Sequence, residues 1–143
     1  MFQQQITQLT ALKDTLVSFL ESLIEILPDE GELNIAHVYI NNQADMQQSM
    51  LHIVRNLVPH KKDLGKCIRN TDLCKNASFV TDGSIYGGTI KDLAIVEHYK
   101  ELWLGNTLSS QHRVAILKWS YKLILVAEKY MQVSGIENPE DVS

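Results

Sequence analysis

Between residues 2 and 27, apolar residues recur every three or four positions in two parallel rows. These rows are Leu9, Leu16 and Leu23, and, three positions later, Leu12, Phe19 and Ile26. The spacing predicts an amphipathic helix with a heptad seam. Leu20 and Leu27 widen the apolar stripe, and a wide stripe is typical of a helix packed inside a bundle rather than of an isolated coiled-coil dimer. Pro28 and Gly31 are expected to end this helix.

The same periodicity predicts further helices along the chain. A weaker one spans about residues 33–41, where the segment "HVYI" is also compatible with a short strand. Asp45 stands where the N-cap of the next helix is expected, and Pro59 is expected to end that helix. A turn-rich segment follows, in which we expect one or two short helical turns and a glycine-rich loop, "VTDGSIYGGT".

Two more helices are predicted in the last third of the chain. Thr89 and Asp92 resemble a capping box, which opens a helix that Gly105 closes after Leu104. The longest helix starts after Ser109 or Ser110, runs to about Gln132 and is expected to stop at Ser134-Gly135. Because no pair of alternating strands occurs, the sequence predicts an all-α, single-domain bundle of about five to six helices over residues 1–134. We expect the acidic tail, residues 135–143, to be frayed.

Length and composition fit one hydrophobic core: the chain has 143 residues, of which 45% are hydrophobic. A charged fraction of 21% and a net charge of −4 indicate neither a nucleic-acid partner nor an anionic membrane as a binding partner. The apolar stretch "VAILKWSYKLILVAEKY" carries three lysines and a glutamate, so we expect it to be a core helix rather than a membrane span. No leader sequence is visible at the N-terminus, which favours a reducing, cytoplasmic compartment.

None of the residue patterns that support common catalytic or metal sites is present. Cys67 and Cys74 are expected to be free thiols, and their spacing does not fit a zinc site with His60. A nucleophilic cysteine at either position remains an alternative that the sequence does not support further. His98 and Glu101 share a helical face, which is more often a solvated surface than a proton-transfer pair. We therefore predict no catalytic residue, metal or cofactor, and a protein that is not an enzyme.

Binding surfaces are the remaining route to function. The candidates for a protein interface, including a possible homodimer, are the heptad residues Leu9 and Leu16 and the tryptophans Trp103 and Trp119. The alternative is nucleic-acid binding by a cluster of basic residues between positions 61 and 75, although no aromatic residues are interleaved with it. The basic candidates are Lys61, Lys62, Lys66 and Arg69.

Several segments in this order resemble small, all-helical, mostly uncharacterised proteins of the nucleocytoplasmic large DNA viruses. The segments are "FLESLIEILPDE" at Phe19 to Glu30, Ile68 to Asp72 in "CIRNTD", "HYKELW" at His98 to Trp103, and Trp119-Ser120-Tyr121 followed by Leu125, Ala127 and Tyr130. The resemblance implies a virally encoded accessory or virion-associated protein that acts through contacts with other proteins. It places the chain in the host cytoplasm or the virion.

Overall fold

The computed structural model describes residues 2–42, 45–70, 101–105 and 108–141. Five α-helices lie wholly within these residues. They are α1 (Phe2–Ile26), α2 (Gly31–Asn42), α3 (Met46–Asn56), α4 (Lys61–Arg69) and α5 (Ser110–Ser134). Residues 101–104 are also helical, and none of the described residues forms a strand. The predicted all-α class is confirmed.

Of the five helices given above, the two longest are α1 and α5, which form the centre of a single compact bundle and pack along each other. Helix α2 packs on α1, α4 packs on α5, and α3 contacts both central helices. Both heptad rows of α1 contribute residues to this core: Leu12, Phe19 and Leu23 are fully buried. From α5, the fully buried residues include Ile116, Leu123 and Ile124. The wide apolar stripe of α1 therefore packs within the chain, as its width predicted.

Helix ends follow the local sequence. The Asp45 carboxylate accepts a hydrogen bond from the Gln48 amide (3.2 Å) at the start of α3. The Ser109 hydroxyl accepts one from the His112 amide (3.1 Å) at the start of α5. Gly135, with φ of 71°, ends α5 in a left-handed conformation that glycine adopts without steric cost. All three ends were predicted.

The segment after α3 differs from its prediction, and the segment that was compatible with either a helix or a strand takes one of these forms. Pro59 lies in a 3-10 turn, Val58–His60, that leads directly into α4, a nine-residue helix where only short turns were expected. The segment that was compatible with a strand is helical in α2. In the tail, Ile136 packs against the core and Pro139–Asp141 forms a 3-10 turn beside α3, while the fraying of the tail stays a prediction.

The predicted helix that ends at Leu104 is described only over its last turn, where the Gly105 amide donates to the Glu101 carbonyl (2.9 Å). Its proposed cap at Thr89 and Asp92 lies outside the described residues. Among the helices that the structure describes, none is both long enough and apolar enough to cross a membrane.

Candidate functional site

Helix α2 exposes three large apolar side chains on its outer side. Ile35, Val38 and Tyr39 are 71%, 57% and 51% exposed, respectively. Their spacing of i, i+3 and i+4 places them next to one another on one helix face. With Asn34 they line a shallow groove on the surface. We call Ile35, Val38 and Tyr39 the α2 apolar face.

The α2 helix is anchored on its opposite side, so the apolar face is presented on a fixed element. Leu33 and Ile40 are buried near its two ends and belong to the core. His37 is half-buried, with its Nε2 atom 3.9 Å from Glu21 Oε1 on α1 and its Nδ1 atom 3.5 Å from the Asn41 amide nitrogen. The buried residues at both ends of α2 therefore keep its opposite side exposed to solvent.

Two of the interface residues predicted from the sequence do not lie on the surface. Leu16 is 2% exposed and Trp103 is 1% exposed, because both side chains are packed into the core of their own chain. An interface through these two residues would require the bundle to open, so that part of the prediction is corrected. Leu9 and Trp119 are half-buried and pack against the core from its edge.

The surroundings of the two tryptophans explain their burial. Arg113 of α5 donates from Nε to the Trp103 carbonyl (3.0 Å) and from Nη2 to the Gly105 carbonyl (2.6 Å). Its guanidinium carbon also lies 5.9 Å from the centre of the Trp103 ring. The Trp119 ring stacks on Phe19 of α1 with a centroid distance of 6.0 Å and an interplanar angle of 10°. Both tryptophans therefore have structural contacts within the chain.

A second surface feature is a cleft of about 680 Å³ between α4 and α5, which we call the basic cleft. It is lined by Pro59, Lys61, Lys62, Gly65, Ile68, Arg69 and Tyr121. Three of the four predicted basic candidates therefore line one cleft, whereas Lys66 does not. Tyr121 supplies the aromatic ring that is missing from the basic segment of the sequence. Tyr121 belongs to α5, so it is distant in sequence from the basic residues that it lies beside.

One cation of the basic cleft is held by an ion pair. Lys61 Nζ lies 2.8 Å from Glu128 Oε1 and 5.9 Å from the centre of the Tyr121 ring. The hydrogen bond to Glu128 raises the pKa of the Lys61 ammonium, while desolvation opposes this shift. Lys61 is therefore fixed at the cleft in its charged form, and Lys62 and Arg69 are exposed beside it.

The cysteine prediction is wrong for Cys67, which is buried and disulfide-bonded. A disulfide sulfur is neither a thiolate nucleophile nor a thiolate ligand for zinc, so both cysteine alternatives lose this residue. Cys74, the other cysteine of the sequence, and His98 lie outside the described residues. Within the part of the chain that the structure describes, no cluster of His, Cys, Asp and Glu side chains could hold a metal ion.

In comparisons with known proteins, no family model, curated protein or solved structure matches the chain. What the chain does must therefore be inferred from its own residues.

Proposed function

We propose that this chain acts by binding a protein through the α2 apolar face and that it is not an enzyme. The observation that carries the proposal is the exposure of Ile35, Val38 and Tyr39, each more than half exposed and all on one helix face. Single exposed apolar residues are common on soluble proteins, but adjacent ones on a fixed element are typical of an interaction site. Tyrosine is also enriched among the residues that contribute most to binding.

The geometry fits docking of a helix or loop with a complementary apolar surface. Residues at i, i+3 and i+4 form the ridge by which an amphipathic helix enters a groove on a partner. Because Leu33 and Ile40 already hold α2 on the bundle, binding needs little ordering of the backbone, which lowers its entropic cost. The α2 apolar face can therefore bind a partner without rearrangement of the helix.

A second copy of the chain is one occupant that suits this face. Helix α2 carries one carboxylate, Glu32 in its first turn, and no lysine or arginine. Two α2 helices packed antiparallel would therefore bring no like charges opposite each other near Ile35 and Tyr39. Cyclic dimers are also the commonest soluble oligomers. Another protein with an apolar groove is the other occupant, and the experiment below separates the two.

The resemblance to viral proteins supports a virion-associated or accessory role for this contact. The disulfide at Cys67 favours the virion over the host cytoplasm, because disulfides persist on virions but are rare in the reducing cytosol.

Val38→Glu tests the proposal by placing a charge in the centre of the α2 apolar face. The matched control is Ile6→Glu. Ile6 is also exposed, but it lies near the N-terminal end of α1, where the Gln5 amide donates to the Ser134 hydroxyl of α5. Light scattering across concentration and capture from the native source would be compared for both variants. We expect a dimer or a captured protein that Val38→Glu loses and Ile6→Glu keeps. Identical behaviour of the two variants and the wild type would overturn the proposal.

A further inference from the structure

The basic cleft has cations at both ends of one helix face. Lys62 lies near the start of α4 and Arg69 at its end, seven residues apart and about 10 Å along the helix axis. Both side chains are exposed, and Lys61 adds a third cation at the same end as Lys62. An extended anion with several charges, rather than one small ion, matches this separation.

Between these cations, the cleft is open and less polar. Gly65 has no side chain, and a Cβ at this position would meet no atom within 4 Å, so the helix leaves free space here. Ile68 and Tyr121 also line the cleft, and Lys61 Nζ lies 5.9 Å from the centre of the Tyr121 ring. A flat apolar group therefore has room beside Gly65 and an aromatic neighbour, Tyr121, near the Lys61 end of the cleft.

Among the residues that the structure describes, the acidic groups near the cleft do not cancel its charge. Glu128 is paired with Lys61 at 2.8 Å, which leaves Lys62 and Arg69 without a carboxylate among the lining residues. Asp63 is exposed on α4 but is not one of the residues that line the cleft. Lys62 and Arg69 make the cleft locally positive. Because the whole chain has a net charge of −4, this positive charge attracts an anion only at short range.

We propose that the basic cleft binds single-stranded nucleic acid, with backbone phosphates on Lys62 and Arg69 and an unpaired base stacked on Tyr121. Grooves that combine lysine and arginine with an aromatic platform bind single strands, because every unpaired base offers a flat face for stacking. A duplex keeps its bases stacked inside and has none to offer Tyr121. A phosphorylated peptide or other polyanion would use the cations alone and leave the ring without a role.

This site is separate from the α2 apolar face, since α2 packs on α1 and α4 packs on α5. The two proposals can therefore fail independently. Val38→Glu should leave nucleic-acid binding unchanged, because Val38 lies on α2 and does not line the cleft.

Fluorescence anisotropy with a labelled single strand of about 12 nucleotides, at low salt, tests the proposal. Competitors are the same strand as a duplex, heparin and a phosphopeptide. We expect Tyr121→Leu to weaken binding about tenfold, the typical effect of losing one stacked base, and Tyr121→Phe to retain it. The double variant Lys62→Gln with Arg69→Gln should reduce the slope of log affinity against log salt by about 1.4.

The control is Lys118→Gln with Lys129→Gln, which removes the same charge from exposed positions of α5 outside the cleft. It should bind like the wild type. Circular dichroism of each variant confirms that the bundle is folded. The proposal is overturned by an absence of binding at low salt, by heparin, phosphopeptide or duplex competing as well as the single strand, or by Tyr121→Leu binding like Tyr121→Phe.

Discussion

Arg113 joins α5 to the helical turn that contains Trp103. Its two hydrogen bonds, to the carbonyls of Trp103 and Gly105, come from different nitrogens of one planar guanidinium. A lysine cannot reproduce this fork, because its ammonium is a single point of donation on a flexible stem. Arg113 is therefore a fixed link between the two segments.

Arg113→Lys should lower the free energy of unfolding by about 2 kcal/mol, the usual value for hydrogen bonds made by a charged group. Urea denaturation measures the change. The control Lys118→Arg alters an exposed residue of the same helix and should change stability by less than about 0.5 kcal/mol. Equal stability of Arg113→Lys and the wild type would show that the two hydrogen bonds contribute nothing.

The Lys61–Glu128 pair makes a small, pH-dependent contribution. Both side chains are more than a third exposed, at 38% and 37%, so solvent screens the 2.8 Å contact. Because the folded-state pKa of Lys61 is raised, the pair stabilises the fold below the ordinary lysine pKa, and this contribution is lost as the pH rises through the raised value.

Glu128→Gln should therefore reduce the free energy of unfolding by no more than about 1 kcal/mol at pH 7. The difference from the wild type should shrink above about pH 10.4, where lysine begins to lose its proton. Urea titrations at neutral and alkaline pH measure both values. A difference that grows with rising pH would contradict the assigned sign.

At the scale of the elements, the two glycines of α4 and of the end of α5 have opposite roles. Gly135 has a φ of 71°, which strains any residue with a Cβ, whereas Gly65 lies inside α4 with open space where a Cβ would stand. Gly135→Ala should cost about 1 kcal/mol of stability. Gly65→Ala should add roughly 0.5–1 kcal/mol, because alanine is the better helix former. Thermal unfolding compares the two, and the same sign for both would contradict the assignment.

The caps and breaks of the helices were predictable because they depend on a few neighbouring residues. Asp45, Ser109 and Gly135 each act on backbone groups within four positions of themselves. The burial of Leu16 and the outward position of Tyr39 depend instead on which helices pack together, and a single sequence does not contain that information directly. Helix α2 has apolar residues on two sides, so its pattern alone does not identify the side that faces solvent.

The basic cleft shows the same limit. Its cations are close in sequence and were recognised, but Tyr121 joins them from a helix about 50 residues further on, through the packing of α4 on α5. The disulfide of Cys67 was missed for a different reason: the prediction of free thiols depended on an assumed reducing compartment rather than on geometry.

At the scale of the whole molecule, α1 and α5 provide a rigid core, and the two candidate binding surfaces lie on helices that pack on different central helices. The α2 apolar face is on the element that packs on α1, and the basic cleft is formed by α4 and α5. Such an arrangement would let one small bundle hold a protein and a nucleic-acid strand at the same time. Binding at either surface should therefore be unaffected by substitutions at the other.

The central claim, that the α2 apolar face docks a protein, is tested most directly by photocrosslinking in the native source. A benzophenone amino acid would replace Tyr39 in one variant and Leu125, exposed on α5, in another. Both changes keep a large apolar side chain, so the surface is preserved. We predict a covalent protein adduct from position 39 and none from position 125, with an adduct of twice the chain mass identifying a second copy. No adduct from position 39, or the same adducts from both positions, would contradict the account.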